Sequence, residues 1–157
     1  MSYWLFKSEP REFGLDHLLA LPGRMARWDG VRNYEARNLL RDQIQVGDQA
    51  FLYHSSCEQP GIVGLLEVVQ AGYPDPTASD PESPYWDPRN LPGEPRWYAV
   101  DVRLTARLSP VLLLSRLRGD PELHEFRLLR RGNRLSILPV TPSEWTHLLA
   151  QTHLLPL

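Results

Sequence analysis

His54-Ser55-Ser56-Cys57 is the stretch of this sequence where a base, two hydroxyls and a thiol stand together, the side chains from which a nucleophilic site is built. On an extended strand, however, His54 and Ser55 point to opposite faces, and no nucleophile elbow frames them. The run therefore reads as a polar strand end. The histidines (17, 54, 124, 147 and 153) form neither HExxH nor a zinc-deaminase signature, and no metal site is expected. Cys57 is the sole cysteine, which excludes an internal disulfide and a cysteine-built zinc site. No GxGxxG or P-loop follows a strand, so no nucleotide cofactor is expected. Arg130-Arg131 reads as a complement to the C-terminal end of a helix dipole rather than a phosphate site.

The aromatic residues say more. Trp28 stands in a polar context between Arg27 and Asp29-Gly30, and Trp97 falls on the polar side of an alternating segment. Each either folds back into the core or forms the wall of a pocket. Trp4 and Trp145 lie in periodic segments and read as core. A planar base stacks on Trp or Tyr and presents its edge to a few fixed polar groups, for which Lys7, Ser8, Asn33 and Tyr53 to Ser55 are the candidates. Lys7 is the only lysine in a chain whose other sixteen basic residues are arginine.

Elements must place these side chains. Residues 2–7 read as a strand, and Leu15, Leu18 and Leu19 as a short helix stopped by Pro22-Gly23. A loop carries Trp28. Asn33 caps a helix running through Asp42. Residues 49–55 and the run IVGLLEVVQ form a hairpin, after which seven prolines between Pro74 and Pro95 impose a long irregular loop, expected across the mouth or flank of the fold. WYAVDVRL alternates, with Tyr98, Val100, Val102 and Leu104 inward and Trp97 outward. Asp120-Pro121 opens a helix ending near Gly132, residues 135–139 return as a strand, and Thr141 to Glu144 is a capping box for a helix over 142–151.

The 157 residues, 42% hydrophobic and 23% charged, fit one domain spanning 1–157. No stretch approaches a membrane span and the N-terminal residues lack a leader pattern, so a cytoplasmic protein without membrane contact is expected. A formal net charge of -2 disfavours a broad basic face for duplex DNA and predicts shallow salt dependence.

In order along the chain, YWLFKSEP, WDGVRNYEARN, VGDQAFLYHSS, PGIVGLLEV, YPDPT, PRWYAVDV and RLSILPVT together resemble the EVE domain. The resemblance implies an α+β fold, a PUA-like mixed β-barrel flanked by helices, related to the YTH and ASCH domains. It also implies a pocket built from the KSEP, WDGVRN, FLYHSS and RLSI segments. With the aromatic reading, that gives Lys7, Ser8, Trp28, Asn33, Tyr53, His54, Ser55, Trp97, Arg134 and Ser136 as ligand-binding candidates, with Trp28 as pocket wall. Ser56 stands where the family motif has Asn, so a contact made by that amide is lost. The resemblance further implies recognition of modified cytosine or another modified base in DNA, and association of bacterial members with defence. The expected protein is a non-catalytic binder of nucleic acid carrying a modified base, or of a base-like small molecule. The alternatives are an RNA-modifying or hydrolytic enzyme and an adaptor with a vestigial pocket.

Overall fold

The computed structural model describes residues 1–91 and 93–157; Pro92, within the proline-rich segment, lies outside them. Seven strands run in chain order as β1 (Tyr3–Ser8), β2 (Met25–Trp28), β3 (Gln49–His54), β4 (Gly61–Pro74), β5 (Tyr98–Leu113), β6 (Ile137–Val140) and β7 (His153–Leu155). Among the described residues four helices accompany them: α1 (Leu15–Ala20), α2 (Tyr34–Asp42), α3 (Leu114–Arg118) and α4 (Pro142–Leu149). The strands pair in the order β2-β5-β4-β3-β1-β6, with β7 added to β5. Among the described residues only β1 and β3 run parallel, which makes the sheet mixed.

The fold is α+β as expected, but the sheet is not a closed barrel. Among the described residues no ladder joins β2 to β6, the two ends of the pairing path. Both end strands are only four residues long. The sheet nevertheless curls: the β4–β5 ladder shifts register at four places, and such irregularities bend and twist a strand pair. Through that curl Trp28, at the end of β2, meets Phe6 of β1, with ring centroids 5.2 Å apart.

Several elements follow directly from the sequence. β3 and β4 form the antiparallel hairpin. Asn33 Oδ1 accepts from the Ala36 N–H at 3.0 Å to cap α2. The capping box closes in both directions, Glu144 N–H to Thr141 Oγ1 at 3.1 Å and Thr141 N–H to Glu144 Oε1 at 3.0 Å, although α4 ends at Leu149. α2 can lie against β4 because Gly72 has no side chain; a Cβ there would collide with the Leu40 carbonyl.

Other expectations are corrected. The segment 25–28 is a strand, not a loop, paired from Met25↔Arg103 to Trp28↔Val100. The helix expected from Asp120 to Gly132 is replaced by two 3-10 turns, Pro121–Leu123 and Arg127–Leu129. Leu123, Phe126 and Leu128 are all buried, and an α-helix would turn Leu128 about 140° away from Leu123. The backbone extends at Phe126 (ψ 123°) so that both reach the core. Trp97 is also buried rather than outward.

The start of β1 is fixed by a buried carboxylate. Asp48 Oδ2 accepts from Trp4 Nε1 at 2.9 Å and Gln45 N at 3.0 Å, and Oδ1 accepts from Ser2 N at 3.0 Å. Asp48→Ala would leave the buried Trp4 indole N–H without an acceptor. We expect a loss of about 3 kcal/mol in urea-unfolding stability; a loss below about 0.5 kcal/mol would show that this carboxylate does not anchor the strand pair.

Candidate functional site

The curl of the sheet brings the C-terminal end of β1, the end of β2 and the residue before β6 around one cavity of about 350 Å³. Lys7, Ser8, Trp28 and Ser136 all line it. The Lys7 N–H donates to the Ser136 carbonyl at 2.8 Å, continuing the β1–β6 ladder to the cavity rim. Trp28 is 6% exposed. Phe13 meets it edge-on, with centroids 6.0 Å apart and planes at 82°, and Phe6 tilts against it. Trp28 is therefore rooted in the core while also lining the cavity.

Two of the polar groups here matter most, and neither has a side-chain partner among the described residues. Ser8 Oγ is buried without a hydrogen bond, a condition that costs about 1–3 kcal/mol when left unmet. Its backbone carbonyl, by contrast, accepts from Ser55 N at 2.9 Å. Lys7 is half-buried, and desolvation lowers the pKa of its ammonium; among the described residues it has no salt-bridge partner. Elsewhere on the wall, Arg27 pairs with Asp29 at 2.8 Å and Arg32 with Asp75 at 3.0 Å, while Glu9 and Glu12 line it without an ion pair among the described residues.

The outer wall comes from the proline-rich segment. Tyr85 lies against Gly30, whose φ of +75° favours glycine; a Cβ there would come within 2.8 Å of the Tyr85 ring. Arg32 holds this wall from behind, donating through Nη2 to the Tyr85 carbonyl at 2.7 Å and through Nη1 to Asp75 Oδ2 at 3.0 Å. Asp75, at the head of that segment, also accepts from Gly30 N at 2.9 Å, Thr77 N at 2.8 Å and Thr77 Oγ1 at 2.6 Å. Burial alone would raise its pKa, but the hydrogen bonds from Thr77, Gly30 and Arg32 outweigh that and hold it below the usual range. The segment thus flanks the cavity through Tyr85 and is pinned there.

The remaining candidates lie elsewhere. Tyr53 and Ser55 line a neighbouring cleft of about 790 Å³, and Lys7 lines both this cleft and the first cavity. Asn33 and Arg134 line a third depression, and Asn33 spends its side-chain oxygen on the α2 cap. His54 is turned inward: its Nε2 accepts from the Leu15 N–H at 3.1 Å, so it supports the start of α1, and burial lowers its pKa. Trp97 lines a separate depression from Trp28, with Arg32 and Tyr85 in the walls of both. It donates to Asp87 Oδ2 at 2.8 Å and stacks on Tyr34 with centroids 4.8 Å apart. That hydrogen bond, with those from Arg89, pulls the Asp87 pKa far below the ordinary range.

Sequence reasoning missed Phe13 as a pocket builder and reached Gly30 and Arg32 only as members of the WDGVRN segment. The Asp29-Gly30 pair was the available signal, because a glycine after Asp marks a turn against which another chain segment can pack closely. Among the described residues no group of three or more His, Cys, Asp or Glu side chains is arranged to hold a metal. No helix there is long and apolar enough to cross a membrane.

Comparison with known proteins places this architecture. Thymocyte nuclear protein 1 of Danio rerio is 40% identical over 95% of this chain and 71% of its own length. Protein PSPTO5229 from Pseudomonas syringae superposes with a TM-score of 0.90 at 46% identity, covering 96% of this chain and 99% of that one. Human THYN1 protein, in a crystal structure in complex with 5-methylcytosine containing DNA, superposes with a TM-score of 0.90 at 36% identity, covering 96% and 97% of the two chains. The EVE domain model matches residues 2–151, and with these relatives over nearly its whole length the chain belongs to the EVE domain family.

Proposed function

We propose that this protein captures a modified nucleobase of a nucleic acid in the Trp28 cavity and holds it without chemical change. The observation that carries the reading is the buried Ser8 hydroxyl, which finds no protein partner on the wall that also carries Trp28. Such a group is satisfied by a polar edge entering the cavity. Trp28 and Tyr85 supply aromatic surface for a flat ligand, while Ser8, Lys7 and Ser136 supply its polar rim. The lining carries Lys7, Arg27 and Arg32 against Glu9, Glu12 and Asp29, a balance of charge that suits a neutral heterocycle rather than an ion. The DNA bound by the human relative contains 5-methylcytosine, which makes that base the first ligand to test. Binding without catalysis is supported by His54, whose Nε2 is committed to the Leu15 N–H and which has no hydrogen bond to Ser55 or Cys57 among the described residues.

Trp28→Ala is a poor test, because this side chain also packs on Phe6 and Phe13 and its loss would cost about 3–5 kcal/mol of stability. Ser8→Ala separates binding from folding. Removing an unpartnered buried hydroxyl should leave unfolding stability unchanged or raise it by about 1 kcal/mol. It should weaken capture of a 5-methylcytosine strand about fivefold to tenfold, the equivalent of one hydrogen bond. Unaltered affinity and unaltered preference for the methylated strand would sink the assignment, and a changed nucleoside composition of the recovered strand would replace it with an enzyme.

Gly30→Ala probes the aromatic wall. The left-handed backbone costs an alanine about 1–2 kcal/mol, and its methyl displaces Tyr85. Affinity for the methylated strand should fall, and near-ultraviolet circular dichroism should report the moved tyrosine. A variant that binds like the wild type would exclude Tyr85 from the pocket.

A further inference from the structure

The large cleft beyond Lys7 is lined by Arg118, Arg130 and Arg131, yet the chain as a whole carries a net charge of -2. Among the described residues none of these three arginines forms an ion pair. Among the described residues the cleft contains one carboxylate, Asp120, and its oxygens are already engaged. Asp120 Oδ2 lies 2.6 Å from His147 Nε2 and 3.1 Å from Gln151 Nε2, and Oδ1 accepts from Glu122 N at 3.0 Å. The hydrogen bond to His147 is the main cause holding the Asp120 pKa below the usual carboxylate range. Glu122, just outside, faces the other ring nitrogen of His147 at 2.9 Å.

A helix dipole does not account for Arg130 and Arg131. They follow a three-residue 3-10 turn, not an α-helix, so little macrodipole stands behind them. The turn that presents them is held in shape: Asn133 Nδ2 donates to the Arg127 carbonyl at 2.7 Å, and Asn133 Oδ1 accepts from Leu135 N at 3.1 Å. Unpaired like charges gathered on a fixed turn repel one another unless an anion lies between them.

We propose that this cleft tracks the phosphodiester backbone beside the captured base. The inference rests on the Trp28 cavity as the base site, since Lys7 lines both spaces. One cavity takes a neutral ring, and the adjoining arginines take the phosphates of the strand that carries it. The shallow salt dependence expected from net charge is thereby replaced by a local, salt-sensitive contact.

The test compares a short single strand with one central 5-methylcytosine, the free nucleoside 5-methyldeoxycytidine, and inorganic phosphate. Each is titrated at two salt concentrations against wild type, Ser8→Ala, and an Arg130→Gln, Arg131→Gln double variant. Three phosphate contacts predict about a twentyfold loss of strand affinity for a fourfold rise in salt, at a slope of about 0.7 per contact. The double variant should reduce that slope by about 1.4 and leave nucleoside binding as in wild type. Inorganic phosphate should compete only weakly, because a single anion engages few of the arginines. A double variant with the wild-type slope, no strand binding at the lower salt, competition by phosphate as strong as by the strand, or loss of nucleoside binding in the double variant would each overturn the proposal. If methylated and unmethylated strands bind alike while the slope still depends on Arg130 and Arg131, the backbone track stands and base capture falls.

Discussion

The buried carboxylate of Asp75 is the constraint on which the site depends. One side chain gathers the Gly30 backbone, the Arg32 guanidinium and both donors of Thr77, joining the turn after β2 to the head of the proline-rich segment. The Asp75 N–H also donates to the Trp97 carbonyl at 2.9 Å, tying the same point to the residue before β5. A buried ion pair of this kind contributes little net stability over an apolar packing, but removing one partner is strongly destabilising because the other charge stays behind. Its value here is geometric. With Arg32 fixed by Asp75, the guanidinium is set to hold the Tyr85 carbonyl and to lie 5.3 Å from the Trp97 ring.

The tryptophans divide accordingly. Trp4 and Trp97 give their indole N–H to buried carboxylates and serve as fasteners, one for the start of β1 and one for the proline-rich segment. Trp28 meets other aromatic rings and a cavity. Residue type does not separate these roles. What separates them is whether a carboxylate lies within reach of the ring nitrogen, and that is decided by contacts between residues distant in sequence.

The same distinction governs how much the chain discloses before it folds. The β3–β4 hairpin, the Asn33 cap and the Thr141 box depend on neighbours within a few residues and were legible. The resemblance of ordered blocks identified the family, and Lys7, Ser8, Trp28 and Ser136 do share one cavity. The burial of Trp97 was hidden because Asp87 reaches it from the proline-rich segment. The 120–132 region misled because an Asp-Pro start says nothing about whether the apolar residues that follow can all face the core on one helix. The inward turn of His54 depends on α1, thirty-nine residues earlier in sequence. The open sheet was likewise invisible, since four-residue end strands carry no signal for whether they will pair with each other.

The unclosed sheet has a thermodynamic consequence. Residues at or beside its two free ends, Trp28 and Ser136, face the same cavity, so the space occupies the seam where a further ladder would close the sheet. A molecule lodged there bridges β2 and the approach to β6 and takes up part of the cohesion that backbone pairing would otherwise provide. Occupancy and folding are therefore linked quantities: whatever fills the seam in the folded chain and not in the unfolded one raises the melting temperature with its concentration. Heat resistance thus becomes a readout of ligand binding that holds for any molecule the seam accepts, whatever its chemistry.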